Sequence, residues 1–144
     1  VRSSAASDVY KRQDDRGAMK HFLEALTWHT DCGDCIMIYP EAHIWPFYTG
    51  IRPFPDTSFR YPVQQKLPVF CLTNTYQRRG KSHIPQVVTY LDGPFYPNAE
   101  LPAKLQKTQL RDQVYEAMGK RAQNSNMEMI CYIKKDTDRE KSYI

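Results

Sequence analysis

The residues best suited to chemistry lie in one stretch, CIMIYPEAHIWPF, which covers residues 35–47. It runs from an apolar segment into Glu41 and His43, and prolines and aromatic residues follow at once. Burying a carboxylate costs about 3 kcal/mol unless a cation or a hydrogen-bond donor lies beside it. The acid and the imidazole must therefore face either solvent or a ligand.

A second candidate group is the cysteine pair Cys32 and Cys35 in DCGDCI. A single C-x-x-C pair, without a second pair or a histidine pair at zinc spacing, would need distant ligands to form a structural zinc site. Redox C-x-x-C pairs lie at a helix N-terminus after a strand, whereas this pair falls where a helix is predicted to end. We therefore expect free thiols beside a turn and no bound metal.

The elements around the first stretch follow from apolar spacing. Met19, Phe22, Leu23 and Leu26 recur at offsets of three and four, which predicts an amphipathic helix over residues 16–31. Gly33 would then end this helix as a left-handed C-cap. The apolar run at 35–40 predicts a strand buried on both faces and ended by Pro40. The proline density of residues 41–55 predicts a long ordered loop.

The rest of the chain alternates between short elements. A short helix with Asp56 as its N-cap is suggested for residues 56–66. Two strands are predicted at Leu67–Tyr76 and Pro85–Gly93, and QRRGKSH between them is predicted to be an exposed basic turn. A helix is predicted from Pro102 to about Arg121, with Leu110, Val114 and Met118 on one face. NMEMICYIKK is assigned a further short strand or helix. This order is typical of an α/β domain.

Composition sets the broad class. With 144 residues, of which 41% are hydrophobic, the chain is long enough for one domain with a core. The net charge of +4 is spread over small clusters, which fits an anionic ligand, a phospholipid surface or a solvated exterior. No run of eighteen apolar residues exists, so we expect a soluble fragment without a visible transmembrane helix. SSAASDVYKRQ resembles a translated transposon-type sequencing adapter, and residues 1–13 are therefore interpreted as an artefact.

The order of the motifs resembles the C-terminal half of the lysophospholipid acyltransferases, the glycerolipid family that makes phosphatidic acid. The resemblance rests on a strand ending in Pro-Glu, on PFPDTSFRYPVQQKL and on PVFCLTNTY, and it covers about residues 16–121. It implies a mixed, mostly parallel sheet flanked by helices and truncated at the N-terminus. Residues 14–126 would be the C-terminal part of the acyltransferase domain, and residues 127–144 a tail.

The resemblance implies acyl transfer from a thioester, acyl-CoA or acyl carrier protein, to a hydroxyl of a lysophospholipid. Such a hydroxyl needs a general base, which the family supplies as a His oriented by an Asp five residues later. HTDCGD, from His29 to Asp34, matches that spacing, but it lies only twelve residues before Glu41, at the end of a predicted helix. We therefore interpret the match as accidental and expect the catalytic base upstream of this chain.

On the acceptor side, the family strand ends in Pro-Glu-Gly-Thr-Arg, and the resemblance matches its first two residues to Pro40 and Glu41. In the family the Glu organises the site and the Arg contacts the acceptor phosphate. Ile44 stands where that Arg would be, so His43, Arg52 or Arg60 would have to bind the phosphate, or the acceptor differs. Glu41 could instead cap a turn, His43 could be structural, and both arginines could be surface cations.

The prediction is thus a fragment of an acyltransferase of phospholipid synthesis, with no cofactor other than the acyl donor. Its expected partners are the lysophospholipid acceptor, the donor and a membrane surface, without nucleic acid, and its parent would work at the cytoplasmic face of a membrane. Two other classes stay open. One is a small nucleic-acid-binding domain that uses YQRRGKSH and aromatic residues, and the other is a non-catalytic membrane-associated module of the same fold.

Overall fold

A computed structural model describes residues 16–133 of the protein, which divides into two compact units, Val1–Tyr39 and Pro40–Ile144. In its described part the first unit contains one helix, α1 (Arg16–Asp31). Leu26 of its predicted apolar stripe is buried. Gly33 has φ +83° and donates its N–H to the Thr30 carbonyl at 3.0 Å, so the predicted helix and its left-handed C-cap are confirmed.

The predicted strand at residues 35–40 is wrong. Residues 34–39 form no helix or strand, and Ile36, Met37, Ile38 and Tyr39 are exposed. The reason is that a strand exists only where a neighbouring strand accepts its backbone hydrogen bonds. In the described residues the only two strands pair with each other.

The second unit contains a 3₁₀ turn (Thr57–Phe59), helix α2 (Arg60–Gln65), strands β1 (Val69–Gln77) and β2 (Gln86–Phe95), and helix α3 (Ala103–Ala122). The strands form a two-stranded antiparallel sheet. The expected mostly parallel sheet flanked by helices is therefore wrong. The connection between the strands is only eight residues long, which suits a hairpin and is too short for a parallel crossover.

The core of this unit lies between α3 and one face of the sheet. Leu110, Val114 and Met118 are all buried, as their spacing predicts, and Phe54 and Phe59 pack with them from the segment before α2. Along β1, every second side chain points towards this core because strand side chains alternate between the two faces. The inner face of β1 consists of Cys71, Thr73 and Thr75, which are all buried.

The opposite side of the hairpin, which we call the outer face, carries the alternate side chains. Its members are Phe70, Leu72, Asn74 and Tyr76 of β1 with Val87, Thr89 and Leu91 of β2. Leu72 pairs with Leu91 and Asn74 with Thr89 across the strands, and the Thr89 hydroxyl donates to the Asn74 side-chain oxygen at 2.6 Å. Gly93 lies at the adjoining bulge, where a Cβ atom would come within 2.8 Å of the Val69 carbonyl oxygen.

The segment after α3 runs along the free edge of β1. The N–H groups of Asn126 and Met127 both donate to the Tyr76 carbonyl, and the Tyr76 N–H donates to the Ser125 hydroxyl at 3.2 Å. Residues 123–133 form no helix or strand, so the further element expected there is not found in the described part of NMEMICYIKK. Its last two lysines, the remainder of the expected tail and the adapter-like residues 1–13 lie outside the described residues.

Candidate functional site

Glu41, the residue with which the sequence argument began, is partly buried and bonded to its own loop. Its Oε2 accepts a hydrogen bond from the Arg52 main-chain N–H at 3.0 Å. A tight turn precedes it, because the His43 N–H donates to the Glu41 carbonyl at 2.8 Å and Ala42 has φ +60°. The carboxylate therefore closes the proline-rich loop across eleven residues, which is a positioning role, and brings Arg52 beside it.

The Arg52 guanidinium lies over the ring of Trp45, with 4.2 Å between Cζ and the ring centroid. Its Nη1 is buried, and within residues 16–133 it has no hydrogen-bond partner. Stacking on an aromatic face leaves the edge donors of a guanidinium available for a planar or tetrahedral anion. Arg52 is thus a cation held against an aromatic ring, with one buried guanidinium nitrogen that has no partner in the described residues.

Trp45 is itself fixed by aromatic contacts. Its ring stacks on Tyr132 at a centroid distance of 4.8 Å, and Tyr48 meets both rings edge-on. The Tyr132 hydroxyl donates to the Pro46 carbonyl at 2.7 Å, and this bond joins the segment after α3 to the loop. Because side-chain ordering has an entropic cost, a ring held in this way lowers the cost of holding Arg52 in place.

The other acceptor-side candidates are arranged differently. His43 is exposed, and its hydrogen bond to the Glu41 carbonyl uses the His43 main-chain N–H. The Arg60 guanidinium lies over Tyr61 at 4.8 Å and donates from Nη2 to the Tyr61 hydroxyl at 2.9 Å. The loop therefore brings together Glu41 and Arg52, whereas the Arg60 guanidinium contacts its sequence neighbour Tyr61.

His29 and Asp34, which were interpreted as an accidental match, form a contact. His29 Nδ1 lies 2.8 Å from Asp34 Oδ2, and both side chains are about half exposed. The geometry follows from the C-cap, because the Asp34 N–H also donates to the His29 carbonyl at 2.9 Å. A carboxylate at Nδ1 leaves Nε2 to accept a proton, which is the arrangement of a general base. Both residues belong to the first unit, whereas Glu41 and Arg52 belong to the second.

The sequence argument missed a polar cluster on the inner side of the hairpin. Arg121 of α3 binds Asp92 of β2 through three hydrogen bonds of 2.6–3.1 Å, and its guanidinium lies 4.7 Å from the Tyr90 ring centroid. These bonds lower the pKa of the Asp92 carboxyl and raise that of Arg121. No local pattern could have predicted this pair, because its members are twenty-nine residues apart.

Asp56 was predicted to cap a helix, and it lies at the N-cap position of the 3₁₀ turn, but its side chain binds α3. It makes no side-chain cap, because its carboxylate accepts hydrogen bonds from the Thr108 hydroxyl at 2.8 Å and from Lys107 Nζ at 3.2 Å. The Thr108 bond, together with the lysine, holds the pKa of Asp56 below its usual value. Asp56 thus occupies the predicted N-cap position, at the start of the 3₁₀ turn, but its side chain does not cap that turn and instead ties the segment before α2 to α3.

The thiols do not suggest nucleophilic or metal chemistry. Burial raises the pKa of Cys71, so this thiol stays protonated near neutral pH. Cys32 and Cys35 are free and exposed. Between residues 16 and 133 no three His, Cys, Asp or Glu side chains are grouped so that they could hold a metal ion.

Comparison of the chain with protein-family models, with curated proteins and with solved structures finds no match. The resemblance to the acyltransferases therefore rests on the motif order alone. A search of the described helices finds none that is long and apolar enough to cross a membrane.

Proposed function

We propose that the proline-rich loop binds the phosphate of a lysophospholipid, as the acceptor-binding part of an acyltransferase. The reaction would move an acyl group from a thioester, acyl-CoA or acyl carrier protein, to the free hydroxyl of that acceptor. The observation that carries this proposal is the Arg52 guanidinium, which is stacked on Trp45 and has a buried Nη1 without a partner in the described residues.

Arg52 could supply the phosphate-binding cation that the matched motif lacks. The family block ends in an arginine that contacts phosphate, and Ile44 occupies that position here. Arg52 lies in the same loop, next to the Glu41 carboxylate that accepts its main-chain N–H. A permanently charged planar fork suits a phosphate, and an unpaired buried donor is costly until an acceptor arrives. Binding of a phosphate would remove that cost.

The chemistry further requires a base for the acceptor hydroxyl. The expectation from the resemblance is a histidine oriented by an aspartate, and His29 with Asp34 has that geometry at the end of α1. The contacts that support phosphate binding on the acceptor side all lie within the second unit. Glu41 acts there through Arg52 and is a positioning residue, while Arg52 is the residue that touches the ligand.

The test uses a monomeric short-chain lysophosphatidate and the fluorescence of Trp45, which lies against the guanidinium. Trp28 is the only other tryptophan, so Trp28→Phe provides a background in which Trp45 alone reports. We expect saturable quenching, with affinity reduced about ten-fold or more by Arg52→Gln because a charge-assisted bond is lost. Lys104→Gln removes an exposed cation on α3, away from the loop and the basic turn, and serves as the matched control.

Two results would contradict the proposal. One is equal affinity in the Arg52→Gln protein, and the other is equal binding of monoacylglycerol, which lacks the phosphate. Glu41→Gln keeps an oxygen acceptor for the Arg52 N–H, whereas Glu41→Ala removes it, so a positioning role predicts weaker binding for the alanine variant only. If a single-stranded oligonucleotide binds and lysophosphatidate does not, the nucleic-acid alternative replaces the lipid one.

A further inference from the structure

The outer face of the hairpin is largely apolar, and within residues 16–133 its aliphatic and phenylalanine side chains stay about half exposed or more. Leu72 and Leu91, which pair across the strands, are 51% and 64% exposed, and Phe70 and Val87 are exposed to a similar degree. The remaining side chains of the face are uncharged, since they are an asparagine, a threonine and a tyrosine. A contiguous apolar patch of this kind on a folded unit marks a place where something else binds.

The charge beside this face indicates what that partner is. Residues 57–91 contain five lysines and arginines but no aspartate or glutamate. Arg78, Arg79 and Lys81 lie in the exposed turn at the tip of the hairpin, where Ile84 is also 66% exposed. Apolar side chains that adjoin three cations at one end complement the hydrocarbon and the anionic headgroups of a phospholipid surface.

The outer face adjoins the loop that holds Arg52. Phe47 of that loop packs on Tyr76, the last outer-face residue before the turn, with 5.5 Å between the ring centroids. Trp45 and Tyr48 lie in the same loop and contact each other. A surface that covers the outer face would therefore border the aromatic cluster around Arg52.

The geometry points to the outer face and the basic tip as the surface by which this unit docks on an anionic phospholipid bilayer. The outer-face side chains enter the headgroup region, and the tip cations contact lipid phosphates. This inference deepens the proposed function and rests on it, because a membrane-bound acceptor would then be presented next to Arg52. It assigns the docking to particular residues of the hairpin.

The experiment is flotation of the full chain with vesicles that contain no lysophospholipid. Neutral phosphatidylcholine vesicles are compared with vesicles that also contain phosphatidylglycerol. The tip variant, Arg79→Gln with Lys81→Gln, removes two cations, and the face variant is Leu72→Ser with Leu91→Ser. The control, Lys104→Gln with Lys120→Gln, removes two cations from α3, which covers the other face of the sheet.

We expect binding to the anionic vesicles, weakened about thirty-fold in the tip variant and at least about ten-fold in the face variant. The control variant should bind like the unaltered chain. Thermal unfolding by circular dichroism checks that each variant is folded. The tip variant changes only side chains of an exposed turn, so we expect it to fold normally. It therefore tests the docking surface even if the face variant is less stable.

The inference is overturned if neutral and anionic vesicles bind equally, if the tip variant floats like the control, or if no vesicle binds. It is also overturned if light scattering shows a dimer that the face variant abolishes, because a second copy would then cover the outer face. Since these vesicles lack an acceptor, their result is independent of the Arg52 titration. Failure of the docking surface can thus be distinguished from failure of the phosphate site.

Discussion

The two faces of strand β1 differ in a direction opposite to that expected from hydrophobicity. The inner face buries Thr73 and Thr75 almost completely, at 1% and 0% exposure, together with Cys71. The outer face leaves Phe70 and Leu72 about half exposed. In a sheet with one covered face, the larger apolar side chains are normally the buried ones.

The position of α3 decides which face of β1 is buried. Side chains alternate with a period of two, so a shift of one residue would exchange the two faces. The register places the threonines under α3, and the large buried apolar side chains come from Leu110, Val114 and Met118 of that helix and from Phe54 and Phe59. The outer face is therefore apolar without a cover in the described residues, so its side chains contribute little to the packing of the second unit.

The strongest test of this comparison removes the same side chain on each side of the sheet. Leu110 is 1% exposed in the core under the inner face. We expect Leu110→Ala to lower the free energy of unfolding by about 2–5 kcal/mol, because it loses buried apolar contacts and leaves a cavity. Leu72→Ala on the outer face should cost less than about 1 kcal/mol. Urea unfolding followed by circular dichroism measures both values.

Equal losses in the two leucine variants would contradict the assignment of the faces. A large loss for Leu72→Ala alone would mean that the outer face is the true core side. Leu91→Ala, across the strands from Leu72, serves as a second outer-face variant and should match it. Leu105→Ala on the exposed side of α3 controls for a general effect of removing a leucine from that helix.

A second prediction uses the two inner threonines, which differ in their hydrogen bonds. The Thr75 hydroxyl donates to the Val88 carbonyl at 3.1 Å and accepts from Gln77 Nε2, whereas the Thr73 hydroxyl is buried with no partner in residues 16–133. Thr73→Val should therefore raise the free energy of unfolding by about 1 kcal/mol, since it removes an unsatisfied buried group. Thr75→Val should lower it by about 1 kcal/mol, because a bond is lost.

The same urea experiment measures both threonine variants, and valine keeps the side-chain size nearly constant. The opposite signs are the informative outcome. If both substitutions destabilise, then Thr73 has a partner that compensates its burial, and the inner face is more polar than the contacts described here indicate.

Much of the second unit could be predicted because its signals are local. The spacing of Leu110, Val114 and Met118 predicts α3 and its buried side, and the apolar runs on either side of QRRGKSH predict the two strands within a few residues. Residues 34–39 could not be assigned correctly, because an apolar run does not reveal whether a neighbouring strand is present. The sequence also could not show which face of β1 is buried, because that depends on the position of a helix some thirty residues later.

The candidate site was predictable only as a set of residue types. Glu41 and Arg52 were both candidates, but their contact runs through the Arg52 main-chain N–H, which no side-chain pattern indicates. The stacking of Trp45 on Tyr132 joins residues nearly ninety positions apart. Such contacts arise from tertiary folding, so the sequence could suggest an anionic ligand without showing which cation holds it.

The smallest expected effect concerns the attachment of α3, the helix that covers the inner face. The Thr108 and Lys107 bonds lower the pKa of Asp56, and Arg111 adds a weaker favourable charge. A carboxyl whose pKa is lower in the folded than in the unfolded protein stabilises the fold at pH values above its unfolded-state pKa. This contribution is lost as the pH falls through its folded-state pKa. Asp56→Asn should therefore cost about 0.5–1 kcal/mol at neutral pH, and the cost should shrink only below about pH 4. The measurement is the difference in unfolding free energy between the two proteins across that range, in which the titration of Asp92 and Glu116 cancels. A cost that stays constant down to about pH 3 would show that the Asp56 carboxylate does not hold α3 through its charge.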